Sequence, residues 1–168
     1  MNPEFDPRPA LRVLLSHDVR FVVVGGIAGV LLGSPSLTFD LDICYDRGQK
    51  NLEALADALK ELKATLRGAP ADLPFLLDAK TLRMGDSFTF DTATGSLDCL
   101  GTPSGTTGYA DLMKNAKQVE TVGGLRVWVA SIDDLIRMKR AAGRPKDRIA
   151  VEILTALKEE REKLTPPA

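Results

Sequence analysis

A glycine pair followed by two aspartates on one predicted strand constrains the fold more than any other feature of this sequence. Residues 20–24 are rich in β-branched and aromatic side chains, which predicts a buried strand that Gly25 and Gly26 interrupt. Residues 39–45 alternate apolar and polar side chains, so Asp40 and Asp42 project from one face of a second strand. Backbone N–H groups at a glycine turn before a helix can approach a phosphate closely. Neighbouring carboxylates repel each other unless a cation lies between them, so the pattern predicts Mg²⁺ or Mn²⁺ beside a phosphate.

The rest of the chain predicts a mixture of helices and strands. Helices are expected over residues 11–17, 27–32, 49–66, 109–115, 131–143 and 145–163, and further strands over 87–92, 96–100, 119–122 and 125–129. No stretch has the composition of an interdomain linker. We therefore expect an α/β (α+β) fold with a mixed β-sheet flanked by helices. Residues 1–130 would form the core, and residues 131–168 would form C-terminal helices packed on it as one compact unit.

Composition argues against several other classes of protein. The net charge of -1 gives no global electrostatic case for binding nucleic acid, and two cysteines do not make a disulfide framework. The longest apolar run, residues 21–32, contains three glycines and is too short to span a bilayer. The first residues lack the basic and then apolar profile of a signal peptide. We therefore expect a cytoplasmic protein with no membrane contact.

Two more charged residues stand at positions where burial would require a partner. Asp98 lies within the otherwise apolar predicted strand 96–100, where an unpaired carboxylate is costly. Lys139 continues the apolar stripe of Ile132, Leu135 and Ile136 along a predicted helix, so its side chain should point inward. A buried lysine requires an anion, and a nucleotide triphosphate would serve. Snorkelling of Lys139 to water and an exposed Asp98 are the simpler alternatives.

The succession of a glycine pair, a short helix, a threonine and Asp-x-Asp resembles the nucleotidyltransferases of the DNA polymerase beta superfamily. With Asp98 and the segment 139–147, the chain is similar over residues 20–155 to minimal members, including the nucleotidyltransferase-type toxins of abortive-infection and toxin–antitoxin systems. The resemblance implies that three carboxylates bind two metal ions and that their strands are neighbours in the sheet: Asp40, Asp42 and Asp98. It also implies a set of nucleotide-binding residues: Gly25, Gly26, Ser36, Thr38, Lys139, Arg144, Lys146 and Asp147.

The same resemblance implies transfer of a nucleoside monophosphate from an NTP to a hydroxyl of an RNA (tRNA) or a protein. A cognate toxin or antitoxin protein is a further expected partner. Many relatives carry an arginine shortly before the threonine, where this chain has Ser36. This departure favours an alternative, a catalytically degenerate module that binds a protein as an antitoxin or regulator. A dinucleotide-binding domain fits less well, because Gly25-Gly26-x-x-Gly29 is not the G-x-G-x-x-G fingerprint.

Overall fold

A single seven-stranded sheet forms the centre of the computed structural model, which describes residues 5–165. Its strands run in the spatial order β3-β4-β5-β2-β1-β7-β6. In chain order they are β1 (Phe21–Val24), β2 (Asp40–Tyr45), β3 (Thr65–Leu66), β4 (Ser87–Thr92), β5 (Gly95–Leu100), β6 (Lys117–Glu120) and β7 (Arg126–Val129).

Seven helices in the described part of the chain connect and flank these strands. They are α1 (Arg8–Ser16), α2 (Gly25–Leu31), α3 (Gln49–Glu61), α4 (Ala79–Met84), α5 (Tyr109–Met113), α6 (Ile132–Ala142) and α7 (Pro145–Leu164). None of the helices within residues 5–165 is long and apolar enough to cross a membrane.

The sheet is mixed, as the sequence predicts. β2 pairs in parallel with β5 and antiparallel with β1, while β1 pairs in parallel with β7. All four residues of β1 are buried, so this central strand is covered on both faces. On β2, Leu41, Ile43 and Tyr45 are fully buried and belong to the same core cluster as the apolar side of α3. Asp40 and Asp42 alternate with them and therefore lie on the opposite face.

The C-terminal helices lie against α2. Ser131 caps α6 by accepting a hydrogen bond from the Asp134 N–H, and Gly143 ends the helix with a φ of 64°. Leu154 of α7 is buried, and Arg161 donates a hydrogen bond of 2.8 Å to the carbonyl of Leu32 at the end of α2. The division into a core and packed C-terminal helices stays a prediction, and its last residues, 166–168, lie outside the described part.

Two local predictions were wrong, and one further helix was not foreseen. The helix predicted over residues 49–66 ends at Glu61, and Thr65–Leu66 forms the edge strand β3 instead. The glycine pair does not separate β1 from the next helix, because α2 begins at Gly25 itself. Helix α4 was not predicted. At the end of α3, the helical pattern was overridden by the left-handed turn at Lys63 and by the pairing of β3 with β4.

Candidate active site

The two strands that carry the candidate metal ligands are direct neighbours. In the parallel register of β2 and β5, Asp42 stands opposite Asp98, and Asp40 stands opposite Ser96. The predicted adjacency of these strands is therefore confirmed. Because side chains alternate along each strand, Asp40, Asp42 and Asp98 share one face of the sheet.

The glycine start of α2 lies directly against Asp42. Gly25 has a φ of 67°, and a Cβ at this position would overlap Oδ2 of Asp42. A Cβ on Gly26 would lie 2.7 Å from Oγ1 of Thr38. Only glycine lets the backbone approach the carboxylate this closely with a positive φ. The first turn of α2 therefore brings backbone N–H groups to the edge of the carboxylate cluster.

Asp42 sits in an environment that disfavours its charge. Burial raises the pKa of Asp42 to about 7, and the negative charge of Asp98, a hydrogen bond with that carboxyl group and the charge of Asp40 act in the same direction. The positive charge of Lys139 opposes the shift. A raised pKa with these causes is typical of carboxylates gathered where a cation binds.

Asp98 is held by an arginine that sequence reasoning missed. Arg67, one residue beyond β3, places Nη2 2.9 Å from Oδ1 of Asp98. In this arrangement no group of three or more His, Cys, Asp or Glu side chains among residues 5–165 is close enough to form a metal site as it stands. The sequence carries no local signal for Arg67, because the residues around it look like the end of a helix.

A cleft of about 230 Å³ extends from Asp42 and Gly25 to α6. Lys139 and Arg144 contribute basic groups to its lining, and apolar groups such as Met138 form much of the rest. The inward direction predicted for Lys139 is confirmed, since its side chain is 27% exposed and lines this cleft. The cleft thus joins Asp42 on the sheet to basic groups on the C-terminal helices, and Asp40 and Asp98 are not among its lining residues.

Buried Asp147 organises those basic groups. Its carboxylate accepts hydrogen bonds from N, Nε and Nη2 of Arg144 at 2.8–3.2 Å, and Nζ of Lys139 lies 3.5 Å away. The hydrogen bonds from Arg144 lower the pKa of Asp147 to about 2 despite burial. Asp147 is 1% exposed and does not line the cleft. Its role is therefore to hold the side chains of Arg144 and Lys139 in position by hydrogen bonding and charge.

Solved structures with a similar fold include two proteins of related description. TM1012 from Thermotoga maritima, assigned as a nucleotidyltransferase, is 18% identical, with a TM-score of 0.54 and coverage of 90% of each chain. The lincosamide antibiotic adenylyltransferase LnuA, determined with lincomycin bound, is 14% identical, with a TM-score of 0.58 and coverage of 89% of this chain and 94% of its own. The fold is nucleotidyltransferase-like. No protein-family model and no curated protein sequence matches the chain.

Within this nucleotidyltransferase-like fold, three predicted nucleotide contacts lie away from the cleft. Ser36 and Thr38 line a separate cavity beside α2, and Ser36 forms a hydrogen bond of 3.1 Å with Ser34. Lys146 is exposed on the first turn of α7. The roles of all three in nucleotide binding remain predictions, and Thr38 is the nearest of them to the glycine turn through its packing on Gly26.

Proposed function

We propose that the chain is a metal-dependent nucleotidyltransferase, which moves a nucleoside monophosphate from an NTP to a hydroxyl group and releases pyrophosphate. The observation that carries the proposal is one juxtaposition. Asp42 stands opposite Asp98 in the register of β2 and β5, packs against Gly25 at the start of α2, and lines a cleft that Lys139 also lines. The nucleotidyltransferase-like fold supports the same conclusion.

The chemistry of these donor side chains, rather than their present spacing, suits Mg²⁺ or Mn²⁺. Asp40, Asp42 and Asp98 offer hard carboxylate oxygens from one face. Burial and then the negative charges of Asp98 and Asp40 raise the pKa of Asp42, and a bound divalent cation would favour its charged form. When bound, such ions would neutralise charge on the transferred phosphoryl group and make the attacking hydroxyl more acidic. The three aspartates would be the ligands, and Asp98 would also be placed to accept the proton of that hydroxyl.

The NTP phosphates would lie between the sheet and α6. The backbone of Gly25 at the start of α2 and the side chain of Lys139 both line the cleft, and a backbone N–H group and an ammonium group would each favour an anion there. Arg144 would add a second cation at the rim of the cleft. Catalysis in this scheme consists of positioning and neutralisation of charge, as in other phosphoryl transfers.

The acceptor would approach over β4 and β5. Beyond the cleft, Thr89 is exposed and Ser96 and Asp98 are partly exposed on the same face of the sheet. An open polar surface suits a hydroxyl presented by a large molecule, an RNA such as tRNA or a protein. LnuA acts on a lincosamide antibiotic, so a small acceptor is the competing outcome. By its resemblance to nucleotidyltransferase-type toxins, the chain would act as part of a toxin–antitoxin pair with a cognate partner protein.

The experiment that tests the proposal is transfer of label from each α-labelled NTP, with Mg²⁺, to total RNA, to lysate protein and to lincomycin. We expect one acceptor class to become labelled by the wild type and none by Asp42→Asn. Lys139→Met should retain its packing and lose most of the labelling, with NTP affinity reduced at least about tenfold. Arg140→Met removes an exposed cation from the same helix and should label as the wild type does.

Two results would contradict the proposal. Labelling that persists in Asp42→Asn would show that the reaction does not use this site. Absence of any labelling, together with absence of NTP binding by calorimetry, would instead favour the non-catalytic protein-binding module.

A further inference from the structure

Arg67 is fixed on the sheet by four hydrogen bonds that converge beside Asp98. Its backbone N–H donates to the carbonyl of Thr89 at 2.9 Å, which extends the pairing of β3 with β4 by one residue. Its side chain then crosses β4, where Nη2 donates to the carbonyl of Phe90 at 2.9 Å and Nε donates to Asp91 at 3.2 Å. The fourth bond, from Nη2 to Oδ1 of Asp98, is therefore made by a guanidinium group whose position is already set.

As a result, the two carboxylate oxygens of Asp98 differ in their hydrogen bonding. Oδ1 is engaged by Arg67, whereas no basic side chain and no backbone N–H within residues 5–165 donates a hydrogen bond to Oδ2. Asp42 stands opposite Asp98 on the other side, in the direct register of β2 and β5. Asp98 therefore lies between the fixed guanidinium group of Arg67 and the carboxylate of Asp42.

We propose that Arg67 sets the metal selectivity of the site by restricting Asp98 to one oxygen as a ligand, which favours Mg²⁺ and Mn²⁺ over Ca²⁺. The inference rests on the proposed function, since it presumes that Asp98 is a metal ligand. Mg²⁺ demands near-octahedral geometry with compact single-oxygen ligands, whereas Ca²⁺ accepts more oxygens and bidentate carboxylates. Arg67 already engages, by a charged hydrogen bond, the oxygen that a bidentate carboxylate would use as its second donor.

The ratio of the Ca²⁺ affinity to the Mn²⁺ affinity distinguishes control of Asp98 coordination by Arg67 from the simple electrostatic effect of its positive charge. Removal of a nearby positive charge should strengthen the binding of every divalent cation by a similar factor, because the charges of Mn²⁺ and Ca²⁺ are equal. Only a change in how Asp98 can coordinate should alter the preference between them. The dissociation constants of Mn²⁺ and Ca²⁺ are therefore measured separately by calorimetry, each ion alone on the full chain.

We expect the ratio of the Ca²⁺ to the Mn²⁺ dissociation constant to fall about tenfold or more in Arg67→Met, a change of the size seen when groups that orient metal ligands are removed. Arg83→Met removes an exposed arginine from α4 and should leave the ratio unchanged. In an Asp98→Asn background, whose amide has one oxygen, Arg67→Met should no longer alter the ratio. If Arg67→Met does not fold, Arg67→Gln replaces it with the same expectation.

The outcomes separate the two proposals. A ratio that is unchanged or higher in folded Arg67 variants overturns the role of Arg67 and leaves the metal site standing. An equal fall of the ratio in the Asp98→Asn background also overturns it, because the effect would not pass through Asp98. Failure of the folded wild type to bind either ion, with or without an NTP, overturns the proposed function itself.

Discussion

Asp147 shows how one buried carboxylate can organise a binding surface that it does not itself form. It closes a capping box with Arg144 at the start of α7 and also attracts Lys139 of α6. Both basic side chains line the cleft. Sequence reasoning placed all three in the nucleotide site, but it could not distinguish a contact residue from a supporting one, because that difference depends on burial.

Asp147→Asn tests this arrangement through pH. The pKa of Asp147 is about 2 in the folded chain, below the value of 3.8 expected without partners, so its contribution to stability is complete above about pH 4 and is lost as the pH falls towards 2. We expect Asp147→Asn to lower the free energy of unfolding by about 2 kcal/mol at pH 7. In urea unfolding at a series of pH values, this difference should shrink below pH 4.

Asp57→Asn is the matched control, because Asp57 is exposed on α3. It should change stability by less than about 0.5 kcal/mol at every pH. A difference between the wild type and Asp147→Asn that stayed constant from pH 7 to pH 3 would mean that charge at Asp147 is not what stabilises the fold.

At the scale of secondary structure elements, local patterns predicted the site strands and missed the edge of the sheet. The alternation of residues 39–45 placed β2, and the hairpin pattern around residues 93–95 placed β5, each to within one residue. The end of α3 could not be read in the same way. Lys63 adopts a left-handed φ of 54°, and Leu66 then pairs with Phe90 of β4.

This error explains why Arg67 was missed. Directly after a helix predicted to end at residue 66, Arg67 would have been one more surface charge. As the residue after β3 it reaches Asp98 across β4, a contact that depends on pairing between segments far apart in the chain. Long-range pairing of this kind leaves no periodic signal in the sequence.

The start of α2 gives a prediction at the same scale. Gly25→Ala adds a Cβ that overlaps Oδ2 of Asp42 and places a side chain at a positive φ. We expect the variant to lose about 1–3 kcal/mol of stability and, since Asp42 must move, to lose metal binding measured by calorimetry. Gly124→Ala meets a positive φ of 86° in the β6–β7 turn, where the nearest atom is 3.8 Å away.

The comparison of the two alanine variants separates strain from displacement of the ligand. Both should be destabilised, and only Gly25→Ala should lose the metal. Retention of wild-type Mn²⁺ affinity in Gly25→Ala would mean that the position of Asp42 does not depend on the glycine.

At the scale of the whole molecule, the cleft connects two parts that are separate in sequence. Asp42 belongs to the central sheet, while Lys139 belongs to the C-terminal helices, and both line the same cleft. The sequence predicted each group but not the distance between them, which results from packing of α6 and α7 on α2. A ligand that contacts both Asp42 on the sheet and Lys139 on α6 should stabilise the packing of the C-terminal helices on the rest of the chain.

Ligand binding should therefore be visible in the thermal unfolding of the entire chain. A non-hydrolysable NTP with Mg²⁺, at about a hundred times the dissociation constant, stabilises the native state by about 2.7 kcal/mol. For a chain of this length, that corresponds to a rise in Tm of several degrees. Asp42→Asn keeps the shape of the side chain and removes its charge, so it should abolish the part of the shift in Tm that requires Mg²⁺.

The NTP with a chelator in place of Mg²⁺ serves as the control for binding through Lys139 and Arg144 alone. An equal Mg²⁺-dependent shift in the wild type and in Asp42→Asn would mean that the metal and nucleotide bind elsewhere on the molecule.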